Sequence, residues 1–409
     1  MKERELVLTN CHMVDATLEA PLKDAAIWVK GEHIEESGSA NEVVERAKKA
    51  GVTETLDLRG ATITPGLINM HVHLCLALPG AEATRLATEN DAELALRIAS
   101  NARKALHAGA TSLRLVSEKR HADLALRKAI ARGEAQGPRL FTAGTAISCT
   151  GGHGRGAGAV EADGPAEFRK VARAQLKAGA DLIKVMISGG ISGEFEGRMD
   201  SQVAPDELRA VTEVAHGWDK KVTAHVGPAH VIKMGIECGL DCIEHGYELN
   251  EEVVKLMVER GTWLVPTILV TRCKEFYDRI KAPAWMVERA LGKGPAHMAG
   301  LKLAIESGVN VALGTDMLPA EPFEGTTATV RELEYLVEAG MTPRQALRAA
   351  TVKPTEWLRV EDQLGTIEAG KYADLVGIDG DPLESISAYR KLRFVMKGGE
   401  VVRNDAPAS

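Results

Sequence analysis

Short apolar runs in this chain repeatedly stop at a polar or charged residue, and stretches with helical periodicity lie between them. The residues at the stops are His71 and His73, Lys184, His225, His245 and Asp316. The first run, Thr64 to Leu74, opens with Pro65-Gly66 and places two imidazoles on either side of Val72. Residues two apart on an extended strand face the same side, so both rings can reach one cation, whereas a helix would splay them. His225 closes Lys221-Val222-Thr223-Ala224-His225, and His245 closes Asp241-Cys242-Ile243-Glu244-His245, each with a glycine within two residues; Asp316 closes Val309 to Asp316 in the same way. Amphipathic stretches such as Ala92 to Ala108, Pro165 to Ala178 and Pro205 to Val214 separate the strands. Strand and helix in alternation are the pattern of a parallel barrel, whose strand ends converge on one mouth. A capping aspartate or a hydrogen-bonded core histidine explains any one of these residues alone. Their arrival in register favours one shared site.

Lys184 is the unusual member, set in Ala180-Asp181-Leu182-Ile183-Lys184-Val185-Met186-Ile187. An unpaired ammonium among apolar neighbours is costly, so its pKa should fall. A neutral amine can take up carbon dioxide as a carbamate, an anion with two oxygens able to bridge two cations. The plainer alternative is a lysine whose head snorkels past the strand end.

These residues and motifs resemble the amidohydrolase superfamily over the whole chain, in particular the branch with a carboxylated lysine that holds imidazolonepropionase-like barrel dipeptidases and amide and urea hydrolases. The resemblance rests on Pro65-Gly66-Leu67-Ile68 leading to His71 and His73, the Ile183-Lys184-Val185 strand, the His225 and His245 strands, Gly314-Thr315-Asp316, and Leu364-Gly365-Thr366-Ile367-Glu368-Ala369-Gly370-Lys371-Tyr372-Ala373-Asp374-Leu375. It implies an α/β fold, a distorted TIM (β/α)8 barrel over 65–359, with a small β-sandwich domain formed by both chain ends, 1–64 and 360–409. It further implies two divalent metal ions, zinc by default, with His71, His73 and Asp316 on the more buried ion, His225 and His245 on the other, and the Lys184 carbamate between them. Asp316 would be the catalytic base and then acid around a hydroxide shared by the two ions. No Gly-x-Ser-x-Gly turn offers a serine nucleophile instead.

Composition excludes several other classes. The 409 residues carry a formal net charge of -7 with no basic block, which disfavours nucleic acid as a partner. The 6 cysteines are scattered rather than spaced as a zinc ribbon or disulfide framework, and Cys238 and Cys242 read as a helix end and a strand start. No run has the length of a signal peptide or membrane span. A cytoplasmic enzyme acting on a small molecule, without membrane contact and assembled as a homo-oligomer, is the expectation.

The loops bear on the substrate. His153, in Thr150-Gly151-Gly152-His153-Gly154 after the strand Arg139 to Ala143, is a candidate to hydrogen-bond a substrate carbonyl or carboxylate, the alternative being a solvated loop histidine. Ser188 to Gly193 is rich in glycine but lacks the Gly-Lys-Ser/Thr of a phosphate cradle. Thr271 to Met298 is long for a barrel connection and carries Phe276, Tyr277 and Trp285, as a lid or a helical insertion. Three positions depart from the family pattern: Asn69 where relatives often have aspartate, Leu115 where the second strand often has an acid, and Gly227 where barrel dipeptidases place a carboxylate-gripping tyrosine. Met317 to Val330 offers no Lys, Arg or His and contributes Glu321 and Glu324. A substrate carboxylate would need donors or a cation. The expected substrate is therefore a neutral amide, urea or carbamate, N-aryl forms included. An Xaa-Pro-like or other dipeptidase, or an N-acyl amino acid hydrolase, is the alternative if Arg120, Arg155 or Arg198 supplies the cation. A non-catalytic scaffold is disfavoured because all the candidate ligands are present.

Overall fold

A computed structural model describes residues 4–18, 20–197 and 200–407; Arg198 lies outside them. The fold is mixed α/β. The two chain ends meet, as expected, in one seven-stranded sheet ordered Glu400–Asn404, Leu392–Lys397, Leu375–Ile378, Thr55–Pro65, Glu5–Met13, Leu22–Lys30, His33–Ser39. Thr55–Pro65 joins the two ends, parallel to Glu5–Met13 and antiparallel to Leu375–Ile378. Alternation sorts the side chains. Leu6, Leu8, Ile27 and Val29 enter one apolar cluster, while Val7, Ala26 and Trp28 enter another with Val43 and Ala47 of the helix Ala40–Lys49. That helix covers the second face.

The parallel strands fall into two sheets rather than the closed ring expected from the sequence. One holds Leu67–Val72, Ala110–Leu115 and Arg139–Thr142. The other runs Trp263–Val265, Cys242–His245, Val222–Val226, Ile183–Met186, Ile147–Ser148, Val160–Glu161. Isolated backbone hydrogen bonds span the gaps: Asp181 to Thr142 (2.7 Å) on one side, Leu264 to Asn310 (2.9 Å) and Met70 to Leu313 (2.8 Å) on the other. The segment from Val309 to Asp316, read from sequence as a strand, makes only the single bridge Leu264–Val311. Its backbone divides its partners among Leu264, Ala349 and the His71 strand, so no continuous ladder forms on either side.

The helices follow their signals. Asp91–His107 starts at Asn90, whose side chain accepts from Ala92 and Glu93, with Glu93 closing a capping box, and it buries Leu94, Ile98, Ala102, Ala105 and Leu106 at three- and four-residue spacing. Gly164–Ala178 and Pro205–Gly217 carry proline in the first turn. Cys238 caps the helix Ala229–Glu237 and Cys242 begins the next strand, as expected; all 6 cysteines are free thiols. Among the described residues, no helix is long and apolar enough to cross a membrane.

The end sheet is tied to the parallel strands by Asp374, just before Leu375–Ile378. Its carboxylate accepts from Arg139 Nε (2.9 Å) and Nη2 (3.2 Å) and from the Gly398 amide (2.7 Å), and the Arg139 guanidinium lies 3.4 Å from the centre of the Tyr372 ring. Removing one partner of a buried pair strands the other. Asp374→Ala should cost on the order of 3 kcal/mol of unfolding free energy, with Asp374→Asn costing less, measured as a fall in the urea midpoint. An unchanged midpoint would show that the junction does not depend on this pair.

Candidate metal centre

His71, His73, His153, Lys184, His225, His245 and Asp316 all line one cleft of about 650 Å3, open mouth included. His71 lies near the end of Leu67–Val72, and His73 one residue beyond it. Register places Lys184 opposite Thr223 and Met186 opposite His225, so Lys184 is one same-face step deeper than His225. His245 ends its strand with φ 71°, and Asp316 has φ 52°, both in the left-handed region. Adjacent strand residues face opposite sides. Glu244 already points inward, and the left-handed backbone at His245 is what turns the next ring toward the same centre. Such a conformation in a non-glycine residue costs of order 1–3 kcal/mol and gathers at functional sites.

Three donor atoms form a tight triangle: His71 Nε2 to His73 Nε2 is 3.3 Å, His71 Nε2 to Asp316 Oδ1 is 3.2 Å, and His73 Nε2 to Asp316 Oδ1 is 3.3 Å. Tetrahedral coordination with bonds of about 2.0–2.1 Å separates donors by roughly 3.3 Å, so this triangle has the dimensions of a metal face. His245 joins His71 and Asp316 in a group whose ligand atoms all lie within 4.8 Å of one another. His225 packs edge-on to His245, with ring centres 4.5 Å apart.

Burial shapes the charges. Desolvation first, then His153 and Lys184 beside His225 and the rings of His225 and His71 beside His245, pushes these two imidazoles well below the ordinary range, which keeps their lone pairs free. Burial alone would raise the Asp316 carboxyl, but His71 and His73 outweigh it and hold it ionised, well below its usual value. Lys184 is 1% exposed and its Nζ has no hydrogen-bond partner. Desolvation brings its amine down to about 8, against the opposing pull of Glu244. An orphaned, easily neutralised amine among imidazoles is the donor set that a carbamate bridge would complete.

Beneath the ligands lies a network that sequence reading missed. Glu244 accepts from His71 Nδ1 (2.8 Å), from Thr223 Oγ1 and from Arg114 Nη2. Arg114 is fully buried, donates to the Met70 carbonyl (2.5 Å) and lies 4.5 Å from the centre of the Trp357 ring. Desolvation would raise the Glu244 carboxyl, but Arg114 and Lys184 reverse this and keep it ionised. A carboxylate on Nδ1 fixes the tautomer that leaves Nε2 free for a metal. The signal was a glutamate adjacent to a candidate ligand, visible only if the strand end is known to twist. Thr267 plays the same part for His245, with Oγ1 2.7 Å from Nδ1. The buried Glu332 in turn accepts from the Ile268 (2.8 Å) and Leu269 (2.9 Å) amides, and burial lifts its carboxyl to about 8.

The other candidates are placed as follows. His153 stacks on His225 at 4.1 Å, and its Nδ1 lies 2.7 Å from Glu196 Oε2. Asn69 bridges two ligand-bearing segments, accepting from the His71 and Thr315 amides (3.2 Å each) and donating to Thr315 Oγ1 (2.9 Å). Leu115 is buried in its strand opposite Val72, and Arg114 beside it serves the site instead. A Cβ at Gly227 would lie 2.8 Å from Tyr247 Cδ2, so the absence of a side chain at 227 makes room for a ring from the turn after the strand Cys242–His245. Tyr247 was also missed, although it stands two residues after His245. Arg120 pairs with Asp91 and the Glu89 carbonyl, and neither it nor the exposed Arg155 lines the cleft. The connection after Trp263–Val265 is helical, as Lys274–Ile280 and Ala284–Leu291, and it presents Tyr277 and Met286 to the cleft. Phe276 packs against Tyr277, and Trp285 lies beneath Arg289.

Comparison with known proteins bears on the whole chain. The amidohydrolase family model matches residues 62–402. The chain belongs to the amidohydrolase family. This amidohydrolase is 30% identical to the ochratoxinase of Aspergillus niger over 94% of this chain and 84% of that protein. The crystal structure of that ochratoxinase superposes with a TM-score of 0.85 at 27% identity, over 99% and 96% of the two chains. An Xaa-Pro dipeptidase crystallised with methionine in its active site gives a TM-score of 0.85 at 30% identity, over 98% and 100%. The imidazolonepropionase of Geobacillus thermodenitrificans is 26% identical over 94% and 91%. The amidohydrolase is thus an enzyme, a hydrolase acting on carbon–nitrogen bonds.

Glu244→Gln should lower divalent metal affinity about 10- to 100-fold, since the amide no longer demands the Nδ1–H tautomer of His71 and leaves Arg114 without its counter-charge. Metal titration of the metal-free variant measures this. Wild-type affinity in the variant would mean that His71 is oriented by something else.

Proposed function

We propose that the protein is a binuclear metal-dependent hydrolase of an amide-type C–N bond in an uncharged substrate, namely an amide, urea or carbamate, N-aryl forms included. The observation that carries this is the convergence of the donors on one cleft, which the 3.2–3.3 Å triangle of His71, His73 and Asp316 and the unpartnered Lys184 amine share with His225 and His245. His71, His73 and Asp316 would hold one ion, His225 and His245 the other, and Lys184 as its carbamate both. Zinc is the first choice for imidazoles and carboxylates. Bound divalent ions would make water nucleophilic at neutral pH and polarise the scissile carbonyl.

Asp316 sits beside the substrate space with its carboxyl held ionised, and takes a proton from the attacking water, then gives it to the leaving nitrogen. His153, held by Glu196, hydrogen-bonds the substrate carbonyl. Met186, Ile191, Val270, Tyr277, Met286 and Met317 give the cleft apolar walls that exclude water and suit an aryl or alkyl arm. Among the described residues no arginine lines the cleft, and its one lysine is Lys184, which favours a neutral substrate.

In the same reading the two parallel sheets are the halves of a distorted (β/α)8 barrel over 65–359, and 1–64 with 360–409 make a small β-sandwich. The free thiols fit a reducing, cytoplasmic setting. A second reading, a dipeptidase or N-acyl amino acid hydrolase of the same chemistry, is favoured by the likeness to the Xaa-Pro dipeptidase with bound methionine. His153 would then meet the substrate carboxylate.

Turnover of the zinc-loaded protein on neutral N-aryl amides, ureas and carbamates, set against dipeptides and N-acyl amino acids, decides between the two. The expected result is at least a tenfold higher kcat/KM on the neutral panel; the reverse preference would establish the peptidase reading. Lys184→Ala should lose bound metal and turnover together, and a variant with two metals and full turnover would remove the bridge.

A further inference from the structure

Tyr247 stands between two spaces. It lines the main cleft and also a smaller adjoining space of about 260 Å3, open solvent included, of which only about 10 Å3 admits water, and Ile191 is the other side chain common to both. The ring is held on both sides: it stacks on His245 at 5.1 Å with 13° between planes, and meets His297 edge-on at 5.0 Å. His297 is itself fixed, with its ring nitrogens 3.0 Å from Thr271 Oγ1 and 3.0 Å from the His245 carbonyl. The smaller space is lined by Gly189, Gly190, Gly227 and Pro228 and by the Lys293–Glu248 ion pair. The absence of a side chain at Gly227 is what admits the ring, since a Cβ there would lie 2.8 Å from it.

We propose that Tyr247, with Ile191, is the specificity-determining partition of this cleft: the ring sets how long an arm the substrate can extend away from the scissile bond, and the glycine-walled space behind it is a latent extension of the site. The inference rests on the proposed hydrolysis of a neutral C–N acyl bond, and it narrows the substrate class to compounds whose arm on this side is short. The ring acts by its bulk, so its hydroxyl is dispensable for the length limit. With only about 10 Å3 open to water, the latent space suits a linear alkyl arm rather than a second ring. Lys293 and Glu248, which line it, neutralise each other and offer no net charge to attract an ionised arm.

The test is binding of linear alkyl hydroxamates, from acetohydroxamate to octanohydroxamate, to the zinc-loaded protein by calorimetry, together with metal content. Wild type should bind the short members best. Tyr247→Ala should improve the octano-to-aceto affinity ratio at least tenfold while retaining its metals, and Tyr247→Phe should keep the wild-type profile. Ile191→Ala should shift the profile in the same direction as Tyr247→Ala, which keeps the proposal testable if that variant fails to fold. Coincident profiles in the wild type and the folded, metal-bearing alanine variants would overturn the partition. Because binding is read without turnover, a length effect in a protein inert toward every amide, urea and carbamate would sink the reaction class and leave the partition standing.

Discussion

A buried carboxylate with no exposure, Glu244, is the interaction on which the rest of the site depends. Alone it could not stay ionised there, because desolvation favours the protonated acid. Arg114, equally buried, pays that cost, and the resulting pair stands directly beneath His71 and within the field of Lys184. One charged contact therefore fixes a ring, sets its tautomer and balances a cluster of donors that would otherwise repel one another. It also ties three strands together, since Arg114, Glu244 and His71 come from three separate strands. The left-handed turn at His245 follows from the same demand: Glu244 occupies the inward position, so the next residue must twist to reach the centre.

Much of this was legible in the sequence, because strand ends are punctuated by residue type. His71, His73, Lys184, His225, His245 and Asp316 each interrupt an apolar run, and the structure brings all of them to one cleft. The union of the two chain ends in one sheet was likewise expected, and the pairing of Thr55–Pro65 with Leu375–Ile378 supplies it. Less visible was anything set by three-dimensional crossing. The Val309–Asp316 run is apolar enough to read as a strand, yet its hydrogen bonds pass from Leu264 to Ala349 and the His71 strand along its length, which no periodicity records. Arg114 and Glu244 carried no signal of burial in the sequence; both are interior because they neutralise each other. Gly227 was read as a missing group, whereas its emptiness accommodates Tyr247.

The walls of the cleft come from elements outside the strands. The helical connection contributes Tyr277 and Met286, and the glycine-rich segment after Lys184 contributes Ile191 and Ser192. Arg289 of the helix Ala284–Leu291 donates to the carbonyls of Gly190 (3.3 Å), Gly193 and Glu194 (3.3 Å), so these two walls are fastened to each other. The same loop delivers Glu196 to His153. The donors are thus supported by rigid strands and the substrate walls by connections, an arrangement in which one chemistry can be kept while specificity drifts.

The central claim is that Lys184, with the surrounding imidazoles and Asp316, holds two metal ions as its carbamate. Anomalous diffraction from crystals of the metal-loaded protein, recorded on both sides of the metal absorption edge, tests it most directly. The account predicts two anomalous peaks, one among His71, His73 and Asp316 and one beside His225 and His245, with continuous density for a carboxyl group on Lys184 Nζ. A single peak, or an unmodified Lys184 between two, would contradict it.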